Sequence, residues 1–358
     1  MAIERSIATI GGDYATFKAA CSFLAGIAVA NDYTFFVTGD VTEGINDYWA
    51  PFNPNGYTIK FTNNDYHYGD FNRGNKIYLP NDSSVYIRLG TRGRIIVEKL
   101  NIEKTAWDTG LSSGVPLLTV HRGGFTEDCT NSNILIDKCL ARSSLGLPVG
   151  GFGSTAISIN GFREGSTCII RASKAWNVGG TGKCFSNSVS INSLAAIENC
   201  TAYNGEYGFF LQAPDTAQGY LKNCVGIGCD LFDFGYIIVN NLDVQNCADS
   251  DGSLGAFGGS RNISNITPAD EFISLDDSTP YFLKLKNGSL VAGASALPVK
   301  GRAPLKVQFT NSSDYVFQSR NLGDGGTVPL YTTEDIGLNP IPTDEQFYSI
   351  GCHQVEVV

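Results

Sequence analysis

Three stretches of this sequence share one pattern: "LAAIENCTAYN" (194–204), "GYLKNCVGIG" (219–228) and "LDVQNCADSD" (242–251). In each, a short strand with apolar residues leads into the dipeptide Asn-Cys. A metal site, a disulfide framework and a stacked structural repeat could each place cysteines at regular intervals. These three origins predict different functions, so the extent of the pattern along the chain decides between them.

The same frame extends towards the N-terminus through "IIVEKLNIEK" (95–104), "ILIDKCLARS" (134–143) and "CIIRASKAWN" (168–177). The residues that align with the cysteine are Leu100, Cys139, Ser173, Cys200, Cys224 and Cys247. The interval between aligned residues falls from 39 to 23 along the chain. Another strand precedes each segment, as in "TAISIN" (155–160). Such periods, with three short strands each, are typical of a parallel β-helix, whose stacked coils bury one continuous core.

The asparagines before the cysteines are predicted to form the bend between the second and third strands of each coil. Asparagine tolerates left-handed backbone conformations, and stacked amides can hydrogen-bond to one another along the axis. The cysteines then fill the core as small apolar side chains. A second polar stack is predicted at the end of the first strand, formed by Asn160, Asn192, Gln212 and Asn240.

The coil pattern divides the chain into three parts. Residues 1–32 are predicted to hold a capping helix within 13–30, with Asp13 as N-cap and one apolar face. That face consists of Phe17, Ala20, Cys21 and Leu24. Residues 33–269 are predicted to form the β-helix, beginning with the strand at 33–41. Residues 270–358 change in composition and are interpreted as a C-terminal cap with an extended tail.

Composition excludes several classes of function. The formal net charge is -10 and no Lys/Arg-rich run occurs, which argues against nucleic-acid binding. No stretch of 18 apolar residues and no secretion signal are present, so we expect no membrane span and folding in a reducing cytoplasm with free thiols. The ten cysteines contain no CxxC pair, Cys224 and Cys229 being the closest approach, so neither a metal nor a cofactor is predicted.

Catalytic residues are sparse in this pattern. Glycoside hydrolysis requires two carboxyl groups, ~5–5.5 Å apart for retention or ~6.5–9.5 Å for inversion. The outward residues of the first strand column carry no carboxylate; they are predicted to be Tyr86, Thr119, Ser158, Ser190, Phe210 and Ile238. We therefore predict that the chain is not an enzyme.

The remaining acidic candidates lie in loops. Glu206 and Asp230 are predicted at equivalent positions of adjacent coils, with Asp215 and Asp233 near them. Like charges that close would raise one pKa, as a catalytic pair requires. The other interpretation, which we favour, is that these are solvated loop acids of an acidic protein.

Aromatic residues are predicted to be exposed in loops, where they could serve as sugar platforms, as protein contacts or simply as local packing. They are Tyr48, Trp49, Phe52, Tyr66, Tyr68, Trp107, Phe232 and Phe234.

Three groups of residues carry a resemblance to a known superfamily. "TIGGDYATFKAACSFLAG" (9–26), the repeated coils, and "LKNGSLVAGAS" (285–295) with "DIG" (335–337) resemble the right-handed β-helix proteins of the pectate-lyase-like superfamily, in their phage-encoded versions. The resemblance implies an all-β, single-stranded, right-handed parallel β-helix. This fold hosts lyases, hydrolases, tailspikes, adhesins and inert decorations, so it does not determine activity.

The resemblance and the missing catalytic constellation together favour a structural protein of a bacteriophage particle, such as a capsid decoration or head-associated protein. We expect it to fold in the host cytoplasm, to reside in the virion and to contact other capsid or tail proteins. A homo-oligomer is expected, a trimer by resemblance. The alternative is a compact tailspike-like protein that binds a cell-surface glycan or depolymerises it.

Overall fold

The computed structural model describes residues 2–43, 51–80, 87–104, 117–122, 130–143, 155–176, 182–190, 192–212, 217–235, 242–257 and 262–286. Their strands form three sheets of nine, eight and six strands. Every pairing between neighbouring strands within these sheets is parallel. Within these ranges, no helix has the length and apolar character needed to cross a membrane.

The strands, numbered in chain order, are distributed among the sheets at regular intervals. Sheet 1 contains β1 (Ile3–Ile7), β2 (Tyr33–Val37), β4 (Thr58–Asn63), β7 (Arg94–Glu98), β10 (Asn133–Asp137), β13 (Thr167–Arg171), β16 (Leu194–Glu198), β19 (Gln218–Lys222) and β22 (Leu242–Gln245). Sheet 2 contains β3 (Val41–Thr42), β5 (Ile77–Leu79), β8 (Asn101–Lys104), β11 (Leu140–Ser143), β14 (Lys174–Trp176), β17 (Thr201–Tyr203), β20 (Val225–Ile227) and β23 (Ala248–Asp249). Sheet 3 contains β6 (Ile87–Gly90), β9 (Leu118–His121), β12 (Thr155–Phe162), β15 (Lys183–Val189), β18 (Tyr207–Gln212) and β21 (Phe232–Phe234). From β6 onwards the chain visits sheets 3, 1 and 2 in turn, which is the predicted parallel β-helix.

The bend between sheets 1 and 2 has the backbone conformation that the asparagines predicted. The residue at this bend has a positive φ in six successive coils: 62° at Lys99, 53° at Lys138, 47° at Ala172, 50° at Asn199, 54° at Asn223 and 52° at Asn246. Asparagine lowers the cost of this left-handed conformation, which for other L-residues is ~1–2 kcal/mol. The bend is therefore a property of the coil, and asparagine is the residue that fits it best.

The predicted hydrogen-bonded ladder of asparagine amides is not formed. The side-chain nitrogen and oxygen of Asn199 and of Asn223 are buried without a hydrogen-bond partner in the structure. The backbones carry the stacking instead, since the N–H of Asn199 donates to the carbonyl of Lys222 and that of Asn223 to Gln245. A left-handed backbone is thus the common requirement at the bend.

The cysteine column stacks inside the core as predicted. Cys200, Cys224 and Cys247 are fully buried. Their coils are adjacent, because Val225 donates its N–H to the carbonyl of Cys200 at 2.9 Å and Ala248 donates to Cys224 at 2.9 Å. The eight cysteines in the described ranges are unbridged. The repeated Asn-Cys pattern therefore reflects stacking of the coils.

The N-terminal helix is shorter than predicted. Helix α1 spans Phe17–Ala25, and its N-cap is Thr16, whose hydroxyl accepts the N–H of Ala19 at 3.1 Å. The prediction of Asp13 as N-cap is wrong, because the Asp13 carboxylate accepts the N–H and the hydroxyl of Ser6 instead. The predicted buried face is confirmed: Phe17, Ala20, Cys21 and Leu24 all join the main core.

Sheet 1 begins earlier than the sequence indicated. β1 pairs in parallel with β2, so the first strand of the sheet starts at Ile3 rather than at Tyr33. The side chains of β1 do not alternate regularly between buried and exposed positions. Its sequence, IERSI, likewise lacks the regular alternation of apolar and polar residues that indicates a strand. The capping role of α1 stays a prediction.

Residues 262–286, here called the return segment, run back along the outer face of sheet 2. The segment includes helix α2 (Pro268–Glu271) and follows a short 3₁₀ helix at Ser253–Ala256. Its Phe282 packs against Trp176 of β14, with ring centroids 5.1 Å apart. Within the predicted cap of 270–358, residues 270–286 therefore cover the side of the stack, and 287–358 lie outside the described residues.

The second predicted polar stack is only partly correct. Asn160 is in register with Ser188, and Ser188 with Gln212, so Asn192 does not belong to the column. A β-bulge after Asn160 shifts the register of the strand end. Asn192 instead forms a left-handed turn and donates its amide to Glu164. Asn240 lies outside the described residues.

Candidate functional site

The outward column of sheet 3 corrects one predicted position. Thr119, Ser158 and Phe210 occupy the column as predicted, but Ser186 stands where Ser190 was expected. β15 ends at Val189, so Ser190 lies beyond the strand. Tyr86 and Ile238 lie outside the described residues.

A group of charged and aromatic side chains gathers where β15, β18 and β21 begin. The first residues of these strands, Lys183, Tyr207 and Phe232, are in register on adjacent coils. Neighbouring strands in such a stack are ~4.8 Å apart. We call this group the acid–aromatic surface; it consists of Lys183, Glu206, Tyr207, Phe210, Asp230 and Phe232.

Backbone hydrogen bonds between coils hold the loops that precede these strands. Glu206 donates its N–H to the carbonyl of Gly182 at 2.8 Å, and Asp230 donates to Gly205 at 2.8 Å. Gly235 lies directly beneath the ring of Tyr207, where an added Cβ would be 2.3 Å from a ring carbon. A side chain at position 235 would therefore displace the tyrosine.

The aromatic part of the surface is partly exposed. Phe232 keeps 49% of its surface accessible, whereas Phe234 in the same strand is 1% exposed and points into the core. Tyr207 bridges the group, with its ring centroid 6.2 Å from that of Phe232 and 6.4 Å from that of Phe210. The ammonium of Lys183 lies 3.5 Å from the centroid of Phe210, which is a cation–π contact.

The two predicted acids lie on adjacent coils here, with an offset of one residue. β18 and β21 pair Tyr207 with Phe232, so Asp230 is opposite Gly205 rather than Glu206. Partial burial raises the pKa of Glu206, the negative charge of Asp230 raises it further, and the ammonium of Lys183 opposes both. The prediction that the acids lie on adjacent coils is therefore confirmed, and the prediction of equivalent positions is wrong.

Asp233 is buried among structural hydrogen bonds. Its carboxylate accepts the N–H of Cys229 at 3.1 Å, and the N–H and hydroxyl of Ser250 at 2.7 Å each. Burial raises the pKa of Asp233 although these donors lower it. The side chain ties two coils together and is not accessible to a ligand. Asp215, the fourth acidic candidate, lies outside the described residues.

The aromatic predictions divide into three groups. Tyr68 and Phe232 are exposed as predicted. Phe52, Tyr66 and Phe234 are buried, so their predicted exposure is wrong. Tyr48, Trp49 and Trp107 lie outside the described residues. In the part of the chain that the structure describes, no group of three or more His, Cys, Asp or Glu side chains could hold a metal ion.

Sequence reasoning missed Lys183 and Tyr207. The signal was present, because "KCFSNSV" (183–189) and "YGFFLQ" (207–212) place an aromatic residue two positions after the first residue of each strand. Aligning these strands by Phe185 and Phe209, whose rings stack at 5.3 Å, would have placed Lys183 beside Tyr207.

Sequence reasoning also missed a column of buried charged residues on the outer face of sheet 1. Asp137, Arg171, Glu198 and Lys222 occupy the same position of four successive strands. Arg171 donates to Asp137 at 3.1 Å. Glu198 is fully buried, and burial raises its pKa to about 7 although Lys222 and Arg171 lower it. These residues sit at one fixed place in the coil frame, immediately before the left-handed bend.

Comparison of this chain with protein-family models, with curated proteins and with solved structures found no match.

Proposed function

We propose that this protein is a non-catalytic structural component of a bacteriophage particle, displayed as a rigid β-helical stack on the capsid or tail. The observation that carries the proposal is an apolar core that, among the described residues, runs from Ile7 to Leu254 and is shared by successive coils. Close-packed interiors resist deformation, so such a stack suits a mechanical role. The resemblance to phage-encoded β-helix proteins supplies the context.

The state of the predicted acids supports a non-catalytic role. Asp233 is occupied by three hydrogen bonds, and Glu206 and Asp230 are offset by one residue across their two coils. Glycoside hydrolysis usually needs two carboxyl groups that flank the scissile bond of the substrate. An assembled particle also offers repeated contacts, so we propose that the chain acts as a homo-oligomer, with a trimer as the first state to test.

The particle assignment predicts that purified virions contain this chain. Mass spectrometry of density-purified particles of the encoding phage is expected to detect it in a fixed ratio to the major capsid protein. Lysate from the same infection, cleared of particles, serves as the control for carry-over. Detection in the cleared lysate alone would overturn the proposal.

A tailspike-like depolymerase is the second candidate, because the raised pKa of Glu206 beside Asp230 is the environment of a general acid. We expect no new reducing ends when the protein is incubated with capsular polysaccharides of the host. Release of reducing ends that Glu206→Gln abolishes would reject the non-catalytic role and favour this candidate.

A further inference from the structure

We propose that the outer face of sheet 1 is the docking site for residues 287–309 of the same chain, with a basic side chain of that segment set against Glu198. Residues 287–309 lie outside the described residues. The inference is independent of the particle assignment, because the segment would dock in the same way on a protein that never enters a virion. It assigns an occupant to a face of the stack that the structural role does not use.

The first argument is an apolar stripe that is buried although it faces away from the core. Its members come from β7, β10, β13 and β16 and form a cluster separate from the main core: Ile96, Leu135, Ile169, Leu194 and Ala196. None of them is more than 4% exposed. Among the described residues, the partly buried apolar side chain that packs against this cluster is Tyr220 of β19. The apolar face of a sheet is normally buried by a further layer that packs over it, so this stripe has a cover.

The charged residues that flank the stripe are buried as well. Asp137, Arg171 and Lys222 are each 4% exposed, and Glu198 is 0% exposed. At an uncovered edge, long charged side chains would extend their ends into solvent. The cover therefore extends over the stripe and its flank. The burial arises within a single copy of the chain, so the cover belongs to the same polypeptide.

Length selects the segment that forms this cover. The connections outside the described residues that lead into sheet 1 have at most seven residues, as in 44–50 and 123–129. Each is fixed at both ends to its own coil, whereas the stripe crosses four strands at a spacing of ~4.8 Å. The chain beyond Lys286 is not closed in this way. Residues 287–309 span ~75 Å when extended, which is several times the width of the stripe.

The return segment ends close to the proposed site. The ring of Phe282 lies 5.1 Å from that of Trp176 in β14 and 5.8 Å from that of Tyr203 in β17. In their coils, these strands directly follow β13 and β16, which carry Arg171 and Glu198. One left-handed bend separates sheet 1 from sheet 2 in each of these coils. The segment that follows Lys286 therefore needs to pass one bend to reach the stripe.

The sequence of the segment matches an apolar face with an acidic flank. The stretch "LKVQF" (305–309) alternates apolar and polar residues, which is typical of a strand with one apolar side. Residues 287–309 also contain Lys300, Arg302 and Lys306 but no Asp or Glu. The segment is thus cationic in a chain whose formal net charge is -10.

Glu198 offers these cations an acceptor. Both oxygens of its carboxylate are buried without a hydrogen-bond partner in the structure. Its neighbours in the column have other partners, since Arg171 pairs with Asp137 at 3.1 Å and Lys222 with Asp243 at 3.1 Å. Burying an ionised carboxylate is costly unless a cation or a donor accompanies it. A basic side chain from the docked segment supplies that partner.

The first experiment measures how fast trypsin cleaves the full-length protein after Lys300, Arg302 and Lys306. A synthetic peptide of residues 296–311 gives the rates for the same bonds in an undocked chain. Cleavage in the protein is expected to be at least about tenfold slower than in the peptide, because a docked segment must leave its site before the protease can bind it.

Two variants test the role of Glu198 in this protection. Glu198→Gln removes the proposed partner of the segment, so cleavage should become about tenfold faster than in the unmodified protein. Glu98→Gln is the matched control, because Glu98 lies in the same column but already pairs with Lys60 at 3.0 Å. This variant should be cleaved at the rate of the unmodified protein. Circular dichroism and melting temperature establish that both variants are folded.

Photo-cross-linking locates the docked segment. Tyr220→p-benzoylphenylalanine places a photoreactive ring beside the stripe, and mass spectrometry identifies the peptide that it captures. We expect capture of a peptide within 287–309 of the same chain, which an equal mixture of normal and nitrogen-15-labelled protein distinguishes from capture of a second copy. Phe232→p-benzoylphenylalanine, at the start of a sheet 3 strand, is the control and should not capture that segment.

Each contrary outcome overturns a stated part of the inference. Cleavage of the protein at the rate of the peptide rejects docking of the segment, and protection that Glu198→Gln leaves unchanged rejects the role of Glu198. Capture of another segment or of a second copy from position 220 rejects the proposed occupant, as does the absence of any cross-link. None of these results bears on whether the chain is present in virions, so the two proposals fail separately.

Discussion

We expect Lys174→Ala to lower the free energy of unfolding by about 3 kcal/mol, because it removes a charged donor from two buried carbonyl groups. Lys174 is fully buried in β14. Its ammonium donates to the carbonyl of Gly69 at 3.1 Å and to that of Phe282 at 2.8 Å. The side chain thus fastens both a loop of an early coil and the return segment to sheet 2. Chemical denaturation followed by circular dichroism measures the change.

A lysine of the return segment provides the matched control for that variant. Lys284 is partly exposed, and its ammonium lies 5.6 Å from the centroid of the Tyr281 ring. Lys284→Ala should change the free energy of unfolding by less than about 0.5 kcal/mol, as surface substitutions usually do. Hydrogen exchange should also become faster in residues 272–286 of Lys174→Ala alone. Equal stability of the two variants would show that Lys174 does not hold the segment.

The second large effect is a loss of stability in acid that depends on His67. This residue is fully buried; its Nδ1 accepts the N–H of Gly69, and its Nε2 contacts the carbonyl of Lys138 at 2.9 Å. Burial lowers the pKa of His67 to about 3. The unfolded chain binds a proton near pH 6.5, so it binds more protons than the folded chain between pH 6.5 and pH 3. The contribution of His67 to stability is therefore complete above pH 6.5 and falls by about 3 kcal/mol by pH 4.

His67→Gln isolates this contribution, because glutamine keeps an acceptor and a donor and does not titrate. Between pH 6.5 and pH 4, the slope of the unfolding free energy against pH should be more positive for the unmodified protein than for His67→Gln. The difference between the two slopes corresponds to the uptake of up to one proton on unfolding. Buried Glu43 and Glu198 act in the opposite direction, since burial raises the pKa of each to about 7 and their contribution is lost as pH rises towards 7. Both proteins share those groups, so identical slopes would contradict the role of His67.

The fold was predictable because its strongest signal repeats. One asparagine at a bend could occur by chance. The recurrence of a cysteine or a similar small residue after the same bend in successive coils is best explained by stacking of those coils. The frame placed Cys200, Cys224 and Cys247 in one column, and the structure stacks them. The prediction was weakest where the repeat was absent, as at β1.

The site was less predictable, because it depends on side-chain exposure and on register to within one residue. The sequence placed Glu206 and Asp230 on adjacent coils but could not detect the offset that sets Asp230 opposite Gly205. It also could not distinguish Phe232 from Phe234, which are two positions apart in one strand. One ring is half exposed and the other lies in the core because the strand is only beginning at Phe232.

The amino-acid sequence by itself determined the coil, since left-handed bends, small core residues and alternating strands are local requirements that residue type satisfies directly. Only the tertiary structure decided which charged side chains are buried and which remain accessible. In the sequence, Asp233 and Lys174 resemble ordinary polar residues of a loop or a strand. In the structure, a second segment of the chain packs over each of them and buries it. Burial depends on what packs against a residue, and segments distant in sequence supply that packing.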